Sequence, residues 1–271
     1  MHSAKVSRIL LENLSIQSAC LRRQVIVDLY IPDTIQNSSS VNLLLINDGQ
    51  DLPKFHFNTM LDELVNSNQI EPLLCAGIHC SEERRMEYGT AAYVDFKGRG
   101  AKAGDHERFI MKELIPLLKE EFNLVAVNEK SYAGFSLGGL SALDTVWNYP
   151  DEFSRTGIFS GSLWWRLRAL DDGYEEETDR IMHKIIREGD YKPGLKFYFT
   201  TGSLDEKMDR NNNGIIDSID DTLGVINELG KKGYDLQKDI FYYNNENGRH
   251  DVFTWGQAMP DFLRWGWGVK K

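Results

Sequence analysis

The chain of 271 residues is poor in several things, and each shortage removes a class of function. It has only three cysteines, Cys20, Cys75 and Cys80. An odd, loosely spaced set makes no disulfide framework, and the Cys75–Cys80 interval is neither CxxC nor a zinc spacing. All three read as reduced, buried thiols. No apolar run approaches the roughly 20 residues of a membrane span; the longest are of the Leu43-Leu44-Leu45-Ile46 kind. Basic residues are in deficit, 31 Lys and Arg against 41 Asp and Glu. The resulting charge of −10 repels the phosphates of nucleic acid, so no nucleic-acid partner is expected. The N-terminal Met-His-Ser-Ala-Lys-Val-Ser-Arg leads into alternation rather than an apolar core and cleavage site, so no signal peptide is expected and the default compartment is the cytoplasm. No Pro- or Ser-rich linker, repeat or low-complexity block breaks the chain, so a single domain over 1–271 is expected.

What is present is ample core material, 41% hydrophobic and 11% aromatic, arranged in alternating strand and helix patterns. Strands are expected at Arg22 to Ile31, Val41 to Ile46, Leu73 to Ile78, the segment before Gly134, Thr156 to Phe159, Lys196 to Thr201 and Asp239 to Tyr243. A polar turn, Gln36 to Ser40, joins the first two. Helical periodicity marks Pro53 to Asn68, Asp105 to Phe122 (with a kink at Pro116), the segment after Ser136, Gly173 to Glu188, Thr222 to Lys232 and Pro260 to Trp267. Alternation of this kind implies an α/β fold with a mostly parallel central sheet covered by helices on both faces, and an antiparallel pair at the N-terminus.

One stretch carries a chemical signature. Ser131-Tyr132-Ala133-Gly134-Phe135-Ser136-Leu137-Gly138-Gly139-Leu140 runs from an apolar strand through Gly-x-Ser-x-Gly into a helix, the context of a nucleophile elbow. A bland alternative is a glycine-rich turn whose serine caps the helix. A serine hydroxyl needs a base, and the base an orienting carboxylate; on an α/β-hydrolase fold these follow in the order Ser, Asp or Glu, His, each just beyond a strand. Asp205 follows the strand ending near Thr201, with Glu206 as the fallback. His250 follows the strand ending at Tyr243 and is the only histidine beyond Asp205. His2 is terminal, His56, His106 and His183 fall on expected helices, and His79 precedes the serine. The developing oxyanion needs two donors. The Leu137 N–H supplies one, and the Gln50 N–H, in the Asp48-Gly49-Gln50 loop after a strand, is the candidate for the other.

These motifs, with Glu113-Leu114-Ile115-Pro116, Ser160-Gly161-Ser162-Leu163-Trp164-Trp165 and Gly248-Arg249-His250-Asp251, resemble the putative-esterase family of α/β hydrolases. That family includes enterobactin-type trilactone esterases, feruloyl and acetyl xylan esterases, S-formylglutathione hydrolases and the mycolyltransferases of antigen 85. The resemblance covers Arg22 to Trp267 and implies a Ser-His-acid esterase that uses no catalytic cofactor, with Ser136 as nucleophile, His250 as base and Asp205 as acid. A departure is Arg249 where the family's usual run is Gly-Gly-His. Arg84, Arg85, Tyr88, Trp164 and Trp165 fall on loops expected to rim a substrate pocket; the competing reading is core for the tryptophans and a solvated face for the arginines.

A second pattern lies at 209–220, as an insertion in the hydrolase plan. Asp209, Asn211, Asn213, Asp217 and Asp220 stand at positions 1, 3, 5, 9 and 12 of a twelve-residue loop, with Gly214 at 6 and the Ile215 carbonyl at 7. That is the oxygen spacing of an EF-hand-type calcium loop, ended by Asp rather than a bidentate Glu. A structural Ca²⁺ is therefore expected, close enough to Asp205 to support it. The leading expectation is a serine carboxylic-ester hydrolase acting on a small-molecule or carbohydrate ester through an acyl-enzyme. The alternatives are acyl transfer to a sugar hydroxyl on the same triad, and a catalytically silent calcium-dependent binding protein on a hydrolase scaffold.

Overall fold

A computed structural model describes residues 9–33, 40–122 and 126–269. His2 and residues 36–39 of the expected polar turn lie outside them. Eight strands form one sheet: β1 (Ile9–Ser18), β2 (Arg23–Pro32), β3 (Ser40–Asn47), β4 (Leu73–Ile78), β5 (Ala126–Phe135), β6 (Arg155–Phe159), β7 (Lys196–Leu204) and β8 (Ile240–Arg249). Their spatial order is β1-β2-β4-β3-β5-β6-β7-β8. β1 pairs antiparallel with β2, and β2 with β4, while β4 through β8 are joined by parallel pairings. This is the α/β-hydrolase plan, with the expected antiparallel pair at the N-terminal edge.

The period-2 alternation of the strands sends neighbouring side chains to two cores. Leu43, Leu45 and Tyr132 pack on one face with Leu140, Leu143, Val146, Phe197, Phe199, Val225 and Leu229. Leu44, Ile46, Ala133 and Phe135 pack on the other with Phe57, Leu61, Phe159, Tyr198, Met259 and Phe262. Each fully buried Leu, Ile or Phe contributes roughly 1.5–3 kcal/mol, so a strand buried on both faces is strongly pinned in register.

The helices are α1 (Phe57–Asn66), α2 (Arg84–Glu87), α3 (Ala103–Phe109), α4 (Ile115–Glu121), α5 (Leu137–Asn148), α6 (Glu176–Asp179), α7 (Ile181–Glu188), α8 (Asp217–Lys232) and α9 (Val252–Trp267). Several differ from the sequence expectation for local reasons. The helix expected from Pro53 is a 3₁₀ turn at Gly49–Phe55 followed by α1, separated by His56 at φ 56. The expected Pro116 kink appears as a π turn, Ile110–Leu114, between α3 and α4. Pro116 has no N–H to give to the preceding turn, so it starts a new helix more easily than it continues one. The helix expected over Gly173 to Glu188 is only α6 and α7, because Arg180 is extended and bridges Arg166. α8 begins five residues early, at Asp217, and α9 eight residues early. Asp251 caps α9 by accepting from the Thr254 N–H at 2.8 Å, and Pro260 lies inside it. The loop expected over Asn244 to Asp251 is mostly strand, since β8 stays paired as far as Leu204 opposite Arg249.

Parallel register brings the C-terminal ends of β3, β5, β6, β7 and β8 to one edge of the sheet. Asp48, Ser136, Ser160, Asp205 and His250 are each the first residue beyond one of those ends.

Candidate active site

Ser136 has φ 52 and ψ −121, a backbone that costs a non-glycine residue on the order of 1–3 kcal/mol. The neighbours make it possible. A Cβ on Gly134 would stand 2.3 Å from the Gly138 carbonyl oxygen, so strand and helix approach only because Gly134 is bare. The Ser136 N–H donates to the Phe159 carbonyl at 2.9 Å, and the Ser136 carbonyl accepts from the Ser162 N–H at 3.0 Å. Behind it, α5 is buried from Leu137 to Trp147.

Of the three residues the sequence expects to act together, Ser136 and His250 meet directly, while Asp205 lines a cavity with His250 without a hydrogen bond to it. Ser136 Oγ lies 2.8 Å from His250 Nε2. The His250 ring meets Trp255 edge to face at 5.2 Å, and the Trp255 Nε1–H donates to Ser160 Oγ at 3.1 Å. Asp205 Oδ2 accepts from the Gly202 N–H at 3.0 Å. Its Oδ1 is buried with no hydrogen-bond partner, so the carboxylate acts on His250 in this structure through charge alone. Burial raises the Asp205 pKa, against the Gly202 N–H, Ser160 and the charge of His250. Burial lowers that of His250, and the positive charge of Arg84 adds to the effect while Asp205 opposes it. A depressed imidazole is neutral at pH 7, as a base must be. Glu206, the fallback acid, lines the same cavity as Asp205 and His250.

The other histidines of the expected helices and strands are accounted for. His79 Nε2 lies 2.7 Å from Asp28, and His106 is buried against Tyr132 and Asn47. His183 donates to the Asp221 carbonyl, and His56 is exposed between the 3₁₀ turn and α1.

Leu137 opens α5 and Gln50 lies in the first turn of the Gly49–Phe55 helix, so both N–H groups belong to helix N-termini, which leave donors unsatisfied. The Gln50 side chain is tied back: its Oε1 accepts from the Cys80 N–H at 3.1 Å, and its Nε2 donates to Cys80 Sγ and Asp48 Oδ1. The Asn47 amide donates to the Gly138 carbonyl at 2.9 Å, joining this loop to α5.

The residues expected at the pocket rim divide. Tyr88 and Trp165 are fully buried, so both belong to the core. Arg85 is exposed. Arg84 turns inward and grips Asp48, with Nε 2.7 Å from Oδ1 and Nη2 2.6 Å from Oδ2, while Nη2 also reaches the Phe135 carbonyl at 3.3 Å. Trp164 lines a cavity of about 180 Å³ shared with Ser160, Gly161, Asp205, Glu206, Ser218 and His250. Sequence reasoning missed Ser162, whose Oγ lies 3.3 Å from Ser136 Oγ. Its signal was the Ser160-Gly161-Ser162 run just beyond a strand.

The loop at 209–220 is closed by hydrogen bonds among its own side chains and backbone. Asp209 accepts from the Asn213 and Gly214 N–H groups at 3.1 and 2.9 Å, and the Asn211 and Asn213 amides donate to Asp220 at 3.1 and 3.3 Å. Asn213 Oδ1 accepts from the Ile215 N–H, and Gly214 has φ 85. Asp217 Oδ1 is engaged by the Arg210 N–H at 2.9 Å. Among the described residues no group of three or more His, Cys, Asp or Glu side chains is disposed to hold a metal ion. An ion here would therefore rely on amide and carbonyl oxygens as well as carboxylates.

Residues 18–265 match the model of the family described as Putative esterase. The chain is 27% identical over 150 residues to the uncharacterized protein YbbA of Bacillus subtilis, covering 52% of this chain and 58% of that one. It is 30% identical over 159 residues to the iron(III) salmochelin esterase of Escherichia coli, covering 56% and 36% respectively. The enterobactin esterase FES of Shigella flexneri, solved with enterobactin, superposes with a TM-score of 0.73 at 18% identity, over 97% of this chain and 60% of that one. The chain thus spans little more than half the length of these relatives, or less. No helix among the described residues is long and apolar enough to cross a membrane.

Proposed function

The chain belongs to the putative esterase family, and from that premise we propose that it is a single-domain serine carboxylic-ester hydrolase working through an acyl-enzyme. The observation that carries this reading is the 2.8 Å contact between Ser136 Oγ and His250 Nε2 at a strained strand-to-helix turn. Ser136 attacks the ester carbonyl while His250 takes its proton. The N–H groups of Leu137 and Gln50 receive the oxyanion, where each such donor is worth about 10²–10³ in rate. His250 then returns the proton to the departing alkoxide, and water repeats the sequence on the acyl-Ser136 ester. Asp205 holds a negative charge near the imidazolium as it forms.

The substrate is a small-molecule or carbohydrate ester. The names of the relatives place siderophore esters among the compounds to test, beside p-nitrophenyl, feruloyl and acetyl-sugar esters. The loop at 209–220 enters the proposal as a structural calcium site held by Asp209, Asn211, Asn213, Asp220 and the Ile215 carbonyl, with the second oxygen of Asp217. The deciding experiment is p-nitrophenyl acetate hydrolysis and fluorophosphonate labelling. Ser136→Ala should lose both, by at least about 10³-fold in kcat; equal activity in wild type and variant would sink the reading.

A further inference from the structure

The loop after β6 brings a second hydroxyl to the nucleophile. Ser160 has φ 45, and a Cβ on Gly161 would stand 2.4 Å from Ile158 Cγ2, so the chain turns back this tightly only because residue 161 is bare. The turn delivers Ser162 to Ser136 twice over. The Ser162 N–H donates to the Ser136 carbonyl at 3.0 Å, and the two Oγ atoms lie 3.3 Å apart. The Ser162 carbonyl in turn accepts from the Trp165 N–H at 3.2 Å, so both backbone groups of residue 162 are fixed. Ser162 is 4% exposed, and among the described residues its hydroxyl has no other hydrogen-bond partner. The direction of the contact follows from counting protons. Ser136 Oγ has one, and it goes to the base only if Nε2 of a neutral His250, 2.8 Å away, is the acceptor. Ser136 then has nothing left to donate to Ser162. Ser162 is therefore the donor, and hydrogen bonds run from Ser162 to Ser136 to His250.

A donor on Ser136 Oγ acts differently in the two halves of the reaction. While Ser136 attacks, the hydrogen bond draws electron density from the nucleophile and gives no help. Once acylated, Oγ is the alkyl oxygen of an ester; it has no proton and still accepts from Ser162. Density drawn from it there makes the acyl carbon more electrophilic toward water. As water adds, its proton passes to His250 Nε2. The C–Oγ bond then breaks, its electron pair goes to Oγ, and the proton on His250 follows, restoring the Ser136 hydroxyl. Ser162 keeps its own proton throughout, and its hydrogen bond strengthens as Oγ gains charge. We propose that Ser162 is a further catalytic residue, the hydrogen-bond donor to the Oγ of acyl-Ser136 that promotes deacylation. This rests on the serine-esterase reading above and deepens it.

The test separates the two half-reactions with p-nitrophenyl acetate. Release of p-nitrophenol with enzyme in excess reads acylation. Dividing kcat by the steady-state fraction of acetyl-enzyme, read by intact mass, gives deacylation. Both are measured for wild type, Ser162→Ala and Ser162→Thr, with melting curves to show that each variant is folded. Ser162→Ala should slow deacylation by about tenfold, the effect of one hydrogen bond to an oxygen gaining charge, while acylation stays within about threefold of wild type. Acetyl-enzyme should then build up, and kcat should fall while kcat/KM, which reports acylation, holds. Ser162→Thr keeps the hydroxyl and should restore deacylation to within about threefold. Unchanged deacylation in Ser162→Ala, acylation and deacylation falling together as a merely structural role would have it, or a folded Ser162→Thr as slow as Ser162→Ala overturns the assignment even when the acetyl group sits on Ser136. Hydrolysis that survives Ser136→Ala overturns the reading beneath it instead.

Discussion

Replacing Arg84 by Met keeps the aliphatic stem and removes the guanidinium from a site where it holds three things together. Its two contacts to Asp48, at 2.7 and 2.6 Å, form a bidentate pair, its Nη2 reaches the Phe135 carbonyl just before Ser136, and it stacks on Tyr88 at 5.1 Å. Asp48 is 2% exposed and sits at φ 60, two residues before Gln50. After the substitution its carboxylate keeps a long contact from Gln50 Nε2 at 3.4 Å and no cation, while the Asp48 N–H still donates to the Tyr88 hydroxyl at 3.2 Å. Breaking a buried pair from one side costs about 3–5 kcal/mol. The Arg84 side chain is 29% exposed, so the lower end, about 3 kcal/mol, applies. For a chain of this size that lowers Tm by roughly 6–12 °C. Asp48→Asn/Arg84→Met removes both charges and should recover part of the loss, giving a coupling of about 1.5 kcal/mol or more. Arg84→Lys should rescue poorly, because an ammonium cannot span both oxygens. In hydrolysis of p-nitrophenyl acetate, Arg84→Met should lower kcat more than it raises KM, since the Gln50 N–H is then loosely placed for the oxyanion. A Tm within about 2 °C of wild type, or a double mutant equal to the sum of the singles, would refute the clamp.

Because burial and Arg84 depress the His250 pKa, the base is neutral above its folded value and lost below it. kcat/KM should hold through neutrality and fall with a midpoint below the ordinary histidine value of about 6.5, and Arg84→Met should move that midpoint upward; a wild-type midpoint above it contradicts the assignment. Asp144 and Glu107 are buried together, sharing the Asn148 amide, and burial holds Asp144 well above the usual carboxylate range. The folded state therefore keeps a proton that the unfolded chain releases, and stability falls as pH rises above the unfolded value. Asp144→Asn should stabilise the protein at pH 8 more than at pH 5 in urea denaturation, and an equal effect at both would exclude the shared proton. For the 209–220 loop, millimolar Ca²⁺ should raise Tm by several degrees and EGTA should reverse it; Asn213→Ala should abolish the response. Identical melting curves with CaCl₂ and EGTA would remove calcium from the proposal.

The elbow was legible because strain leaves a mark in composition: only glycine at 134 admits the close strand–helix approach, so the motif appears in the sequence itself. Asp205 and His250 were legible because parallel sheets deliver successive strand ends to one edge in chain order. The length of β8 and the early start of α9 were not, since Asn244 to Gly248 look like a turn until pairing with β7 holds them extended. The role of Arg84 was also hidden. Its partner lies 36 residues away, and nothing local distinguishes a clamped arginine from one on a pocket rim. Tyr88 misled for the complementary reason, since a loop position gives no sign of being sealed by neighbouring loops, whereas Trp165 took the core place that was its competing reading.

The strain at this sheet edge is shared rather than local. Asp48, Ser136 and Ser160, each directly after a strand, have φ of 60, 52 and 45. Each of the last two is tied to the next strand along: Ser136 N–H to the Phe159 carbonyl, and Ser160 N–H to the Thr200 carbonyl. Ser162 N–H returns to the Ser136 carbonyl, and Arg84 joins Asp48 to the Phe135 carbonyl. The left-handed residues are thus held by hydrogen bonds that cross from strand to strand as well as by their own turns, in which the Asp48 carbonyl accepts from the Asp51 N–H and the Ser136 carbonyl from the Gly139 N–H. A turn held only by itself would relax when the serine is replaced; one held from both sides keeps its shape. That is why the hydroxyl of Ser136 is aimed at His250 before any substrate arrives, and why the loop residues that fix its direction follow three different strands, β3, β4 and β6.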